Sequence, residues 1–323
     1  MKILIAASIP ANGGYEEEAL ANALYRQLHE LGYEADYFFL PYENDILSLP
    51  EQLLAYRLLK IGSCDELITI GYPACILEHH SKTVYLFQTE PAICEYWDSE
   101  YGVLANFEYF QIANSINKIE YDALHKSKSV KCNSEILACD LKSKYHLETE
   151  ILYCPPLSVE KTVEMKRYNN YIICESNLVP YCRPELIIKL AEELKEKKIK
   201  IFIPNKNITY YDMLLSWISL RELDGKIEIY ERAASDEEIK KSDAVFVPDY
   251  NSRRIPNIVI KGIFHNRPVY AMKDSGAICE LINSNFLISE QQLLNVENST
   301  YIMSSNNVEI PDIKFFTEKM IRK

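Results

Sequence analysis

Lys2-Ile3-Leu4-Ile5-Ala6-Ala7-Ser8-Ile9-Pro10-Ala11-Asn12-Gly13-Gly14 opens the chain, and its reading decides the fold. An apolar strand over Lys2 to Ala7 runs into the loop Ser8 to Gly14. A helix follows from about Tyr15 to Leu31, because Ala19, Leu20, Ala23, Leu24 and Leu28 recur at helical spacing. Gly32 stops that helix, and Glu34 to Leu40 makes a second strand. A β-loop-α-β unit of this kind builds parallel sheets with right-handed crossovers.

The alternation continues outward. Leu53 to Leu59 reads as a helix, Glu66 to Ile70 and Thr83 to Phe87 as strands, and Ile112 to Lys126 as a helix. Ser129 to Cys132 is a strand, Ser134 opens a helix to Lys144 as its cap, and Glu150 to Leu152 is a last strand. Pro155-Pro156 and the polar stretch Ser158 to Asn170 form the best linker. A second set then begins, with strands at Tyr171 to Cys174, Ile199 to Pro204, Ile227 to Tyr230, Ala244 to Pro248 and Pro268 to Ala271. Helices at Pro184 to Lys197, Tyr210 to Leu220, Ser235 to Lys240, Ile258 to Phe264 and Ala277 to Ile282 separate and follow them. Ser235 and Glu238 stand at the positions of a capping box. The expected architecture is α/β, two Rossmann-like doubly wound domains facing a central crevice. They span about 1–157 and 168–304, and a final amphipathic helix within 311–323 is expected to pack back on the first. In open sheets of this kind, ligands sit outside the carboxyl ends of the strands.

Composition narrows the function. The 323 residues exceed the usual size of one core, which agrees with two domains. A formal net charge of -12 repels phosphate backbones, which disfavours general nucleic-acid binding and leaves room for a local basic pocket that takes a small phosphorylated ligand. The apolar runs are strand-sized, far below the length that spans a bilayer, and the start of the chain reads as a first strand rather than a signal peptide. Nine cysteines without a CxxC pair disfavour zinc and thioredoxin-like chemistry and point to reduced thiols in a cytoplasmic protein.

Candidate site residues lie in loops after strands. Gly13 and Gly14 form either a plain tight turn or a ligand-facing loop whose backbone amides approach an anion. Glu90 follows the strand ending at Phe87 and is either a general base for an acceptor hydroxyl or a solvated loop acid. Tyr96 and Trp97, with Tyr101, line either an acceptor pocket or a hydrophobic lid. In the second half, Arg183 precedes a helix N-terminus, Lys206 follows the next strand, Arg253 and Arg254 follow the strand ending at Pro248, and Lys261 lies just beyond them. These cations are either an anion site or scattered surface charge. His79-His80 lacks an acid or thiol at ligand spacing and reads as surface loop.

The residues resemble the family 4 glycosyltransferases, which have the GT-B fold. The opening strand, Gly13-Gly14 loop, helix and Leu31-Gly32-Tyr33-Glu34-Ala35 look like the start of that family, and Tyr153-Cys154-Pro155-Pro156-Leu157 like the end of its first domain. Asn177 to Ile188 is similar to the first loop of the donor domain, Ser235 to Pro248 to a later helix and strand, and Asn266-Arg267-Pro268-Val269 to the turn after the donor-binding helix. The resemblance spans most of the chain. It implies transfer of a sugar from a nucleotide-sugar donor to a glycan or other hydroxyl acceptor, retaining and metal-independent. No cofactor beyond the donor is implied, and no Asp-x-Asp motif occurs.

The donor signature departs from the family. Where the family holds the donor diphosphate with an arginine and a lysine, this chain has Asn177 and Cys182, with Arg183 adjacent. Aligning on Arg267-Pro268-Val269 puts Arg253 and Lys261 where the family keeps its two glutamates, and Gln88 or Thr89 near its acceptor-side histidine. Two readings follow. One is an active transferase whose donor site uses Gly13, Gly14, Arg183, Lys206, Arg253 and Lys261, with Gln88, Tyr96 and Trp97 toward the acceptor. The other is a non-catalytic relative that binds a partner glycosyltransferase, a glycan or a second copy of itself. A different enzyme on the same frame, such as an epimerase, is the weakest alternative.

Overall fold

The computed structural model describes residues 1–10, 16–43, 45–89, 107–157, 170–204, 208–296 and 309–321. It divides into two compact units: Met1–Leu157 with Pro311–Lys323, and Ser158–Ile310. Elements are numbered over the described residues.

The first unit is a six-stranded sheet in the order β2-β1-β3-β4-β5-β6, every neighbouring pair parallel. The strands are β1 Lys2–Pro10, β2 Glu34–Tyr42, β3 Glu66–Ile70, β4 Lys82–Leu86, β5 Ser129–Cys132 and β6 Glu150–Ile151. Strands β3 and β4 are buried at every position, as central strands covered on both faces must be, whereas both residues of the edge strand β6 are exposed. Helix α1 (Glu16–Glu30) buries Leu20, Leu24 and Leu28 against the sheet, each contributing on the order of 2 kcal/mol. Helix α2 (Leu49–Leu58) starts earlier than the apolar spacing indicates. Pro50 sits in its first turn, where a missing N–H costs nothing. Helices α3 (Phe107–His125) and α4 (Glu135–Tyr145) complete the layer, and Ser134 Oγ caps α4 by accepting from the Leu137 N–H. The final helix of the chain, α10 (Ile313–Ile321), packs on this first unit. Phe316 on it is fully buried and meets Tyr85 of β4 edge-on at 5.0 Å.

The second unit repeats the plan with the order β12-β11-β10-β7-β8-β9, again all parallel. Its strands are β7 Tyr171–Glu175, β8 Lys198–Phe202, β9 Ile227–Tyr230, β10 Ala244–Val247, β11 Val269–Met272 and β12 Leu287–Ile288. Its helices are α5 Pro184–Glu193, α6 Ile208–Leu220, α7 Asp236–Lys241, α8 Asn257–Phe264 and α9 Ile278–Leu281. The Ser235–Glu238 capping box opens α7.

Each sheet grows to one side of its first strand and then resumes on the other, between β1 and β3 in the first unit and between β7 and β10 in the second. Those reversals are topological switch points, where loops leaving adjacent strands part and make room for a ligand.

Candidate functional site

At the switch point of the second unit, residues 176–183 follow β7 and residues 248–256 follow β10. Their backbone is unusually strained. Leu178, Arg183 and Asn251 all adopt left-handed conformations, with φ of 52°, 44° and 44°. Such conformations cost on the order of 1 kcal/mol or more each in residues other than glycine, and they persist only where surrounding contacts impose them. Here the contacts are visible. The Tyr250 N–H donates to Tyr181 O at 2.7 Å, the Asn251 N–H to Asp274 O at 2.7 Å, and the Ala277 N–H to Ser252 O at 2.7 Å. The loops after β7, β10 and β11 are thus tied to one another.

Arg183 is the centre of that tie. It stands immediately before α5, whose Pro184 occupies the first turn. Its Nε donates to Pro248 O at 2.6 Å and its Nη2 to Asp249 O at 2.9 Å. Nη1 and Nη2 also grip the Asp274 carboxylate at 2.9 and 2.8 Å, a two-pronged pairing of fork to fork. The guanidinium lies 5.4 Å over the Tyr250 ring. Arg183 is therefore buried and held from two loops, those after β10 and β11, while Asp274 keeps 51% of its side chain in solvent.

Arg253 is half-buried on the 248–256 loop and donates from Nη1 to Asn251 O at 2.8 Å. Helix α8 begins just beyond it at Asn257, with Pro256 before it and no side-chain cap on its N-terminus, so the positive end of the helix lies beside this loop. Lys261 belongs to a different cluster. It is buried on α8, and its Nζ lies 3.0 Å from Asp236 Oδ1 at the start of α7, while His265 Nε2 lies 3.7 Å from Asp236 Oδ2. Burial alone would push the Asp236 carboxyl up, but His265 and Lys261 outweigh it and hold the group well below the usual carboxylate range.

Asn177 is exposed, but Cys182 is not suited to bind an anion. It is buried, and burial pushes its thiol well above the usual cysteine range. In the first unit, Gln88 is half-buried and Thr89 buried just beyond β4. Gly13, Gly14, Glu90, Tyr96, Trp97, Tyr101 and Lys206 lie outside the described residues. His79 is half-buried, its Nε2 lies 3.4 Å from Cys64 Sγ, and its ring packs 4.2 Å from that of His80. Among the described residues, no group of three or more histidine, cysteine or acidic side chains could hold a metal ion. No described helix is long and apolar enough to cross a membrane.

Asp274, Asp236 and His265 were not singled out by their sequence. Asp274 had one local signal: it sits with Ser275 and Gly276 in the loop at the carboxyl end of β11, where ligand-facing residues collect. Asp236 carried none beyond its place in a helix start.

Two doubly wound parallel units on one chain are the architecture of the GT-B glycosyltransferases. The chain is similar in structure to Anabaena HepE, solved with UDP and glucose, at a TM-score of 0.65 and 12% identity over 99% of this chain and 95% of that one. It is also similar to sucrose-phosphate synthase from Thermosynechococcus elongatus, at a TM-score of 0.64 and 11% identity over 92% and 88% of the two chains. S. aureus TarM, solved with UDP, matches at a TM-score of 0.58 and 14% identity over 84% of this chain. The chain spans 54% of TarM's length. No family model matches the sequence, and no curated protein does. At these identities the likeness establishes the fold.

Proposed function

We propose that the protein is a glycosyltransferase that moves a sugar from a nucleotide-sugar donor to a hydroxyl of a glycan or similar acceptor, with retention and without a metal ion. The observation that carries this reading is the strained, mutually tied set of loops at the β7–β10 switch point, with a buried arginine at its centre. Strain of this kind is characteristic of ligand sites. The fold likeness to proteins solved with UDP supplies the class of ligand. In this reading Arg183, Arg253 and Lys206 neutralise the diphosphate as it leaves, Lys261 stays in charge balance with Asp236, and Gly13 and Gly14 bring backbone amides to the donor. Glu90 acts as base toward an acceptor that rests on Gln88, Tyr96 and Trp97. The setting is cytoplasmic.

A second reading, a non-catalytic subunit that binds a partner glycosyltransferase or glycan, is favoured by one observation. Arg183 and Lys261 are each engaged by an acid of the chain itself. Calorimetry against a panel of nucleoside diphosphates and nucleotide sugars, followed by a turnover assay, separates the two. Binding and turnover by the isolated chain support the transferase. Binding of no nucleotide by the isolated chain sinks it and leaves the subunit, which must then co-purify with another protein from its native host.

A further inference from the structure

We infer that Asp274 is an internal counter-ion that occupies the place of a donor phosphate on Arg183 and is displaced when a nucleoside diphosphate binds. The inference rests on the donor-binding reading above and names the residue that sets its charge selectivity.

The geometry separates what fixes the guanidinium from what neutralises it. Two backbone carbonyls, Pro248 O on Nε and Asp249 O on Nη2, position Arg183 irrespective of Asp274. Nη1 and the second N–H of Nη2 point at a carboxylate whose two oxygens match the spacing that phosphate oxygens present to an arginine. The burial of the two partners is lopsided. The Arg183 side chain is 11% exposed and that of Asp274 is 51% exposed, so the acid covers the arginine from the solvent side. A buried arginine without a partner anion is expensive, and Asp274 removes that cost while the site is empty.

Asp274 can also leave without disturbing the loops. Its main chain is pinned, since the Asn251 N–H donates to Asp274 O at 2.7 Å and the Ser275 N–H closes the turn onto Met272 O at 3.1 Å. Only its side-chain torsions need to change, and the carboxylate then rotates fully into water. No covalent bond changes in the exchange; two hydrogen bonds to the carboxylate are given up for bonds to the phosphate. A group with one negative charge gains nothing over the carboxylate it replaces, whereas a diphosphate brings more charge and more acceptor oxygens. The device therefore favours donors with a diphosphate over monoanions and neutral sugars.

Calorimetric titration of UDP and of uridine into wild type and Asp274→Asn tests this. Asparagine keeps an acceptor for the arginine and removes the competing charge. The expected result is UDP binding about threefold to tenfold tighter in D274N, with uridine unchanged. Asp274→Ser should give the same gain and Asp274→Glu none, and adding Arg183→Gln should abolish the gain. The serine variant also provides a reading if D274N folds poorly. Wild type that binds UDP together with D274N and D274S that bind it no more tightly overturns the counter-ion and makes Asp274 a fixed part of the loop tie. If UDP and the other nucleoside diphosphates bind to neither wild type nor the variants, the donor-binding reading falls and this inference falls with it.

Discussion

Lys261 Nζ on α8 lies 3.0 Å from Asp236 Oδ1 on α7, so a base at a position where the family resemblance places an acid is met by an acid from the neighbouring helix. The pair balances the charge between the two helices. His265, at the end of α8, adds a second basic contact to the same carboxylate at 3.7 Å.

Removing Asp236 should be costly because it takes a negative charge away from a buried ammonium. Asp236→Asn is expected to lower the unfolding free energy by about 3 kcal/mol, and Lys261→Met by less, since Asp236 retains partial solvent contact. Denaturant unfolding of both single variants and the double variant reads the coupling. The pH dependence has a definite sign. The Asp236 pKa is depressed in the folded state, so its contribution is complete above the ordinary value of 3.8 and falls away as the pH drops below it. The gap between wild type and D236N should therefore be constant above about pH 4 and narrow steadily as the pH falls further, toward the depressed value of the folded state. A gap that does not narrow on acidification would show that the carboxylate is not held by these partners.

Gly276 should tolerate no side chain. Its φ is +67°, it bridges to Ser252, and a Cβ there would collide with Ser252 O and come within 2.7 Å of Ser252 N. Neither obstacle is a flexible side-chain end, so Gly276→Ala must shift the backbone of the 248–256 loop. A loss of about 2–4 kcal/mol is expected, with weakened nucleotide binding because that loop holds Arg183 through Pro248 and Asp249. Thermal unfolding with and without UDP measures both effects.

The framework was legible in the sequence because buried parallel strands are plain apolar runs and the helices between them keep a regular apolar stripe. The limits fell where that stripe fails. Phe110 is 54% exposed, so the start of α3 at Phe107 carries no stripe, and the sequence places it at Ile112. The charged run after Glu193 is made of good helix formers and reads as helix to Lys197. The chain nevertheless leaves the helix at Leu194, which is buried in an extended conformation as it feeds β8. The candidate cations were also legible, since they follow strands, but their counter-ions were not. Arg183 and Asp274 are 91 residues apart, and only the β11–β10–β7 order of the sheet brings them together.

Lys82 tests the core of the first unit. It opens β4 and is almost fully buried, with Nζ donating to Cys75 O at 2.7 Å and Leu77 O at 2.8 Å. Burial pulls its pKa down from 10.5 to about 8. Below that value both folded and unfolded chains are protonated and the folded state carries the cost of a buried charge. Between the two values the unfolded chain binds the extra proton, so stability rises with pH. Relative to Lys82→Met, wild type should gain about 2 kcal/mol between pH 8 and 10.5, read as the difference between their urea midpoints. A constant difference across that range would mean that the lysine titrates normally.

Arg253 tests the donor site at a residue of the 248–256 loop other than those that hold Arg183 directly. It is half-buried on the loop before α8, and its Nη1 donates to Asn251 O within the same loop. Loss of that bond should cost little stability, about 1 kcal/mol or less. If the loop and the uncapped start of α8 receive the donor diphosphate, Arg253→Ala removes a charge-assisted contact. UDP binding should then weaken about tenfold, with the melting temperature nearly unchanged. Arg253→Lys should recover part of the loss by charge alone. The recovery should be incomplete, because an ammonium cannot reproduce a two-pronged grip on phosphate oxygens. Unchanged UDP affinity in Arg253→Ala, in protein whose wild type binds UDP, would place the diphosphate away from this loop and return Arg253 to the solvated surface.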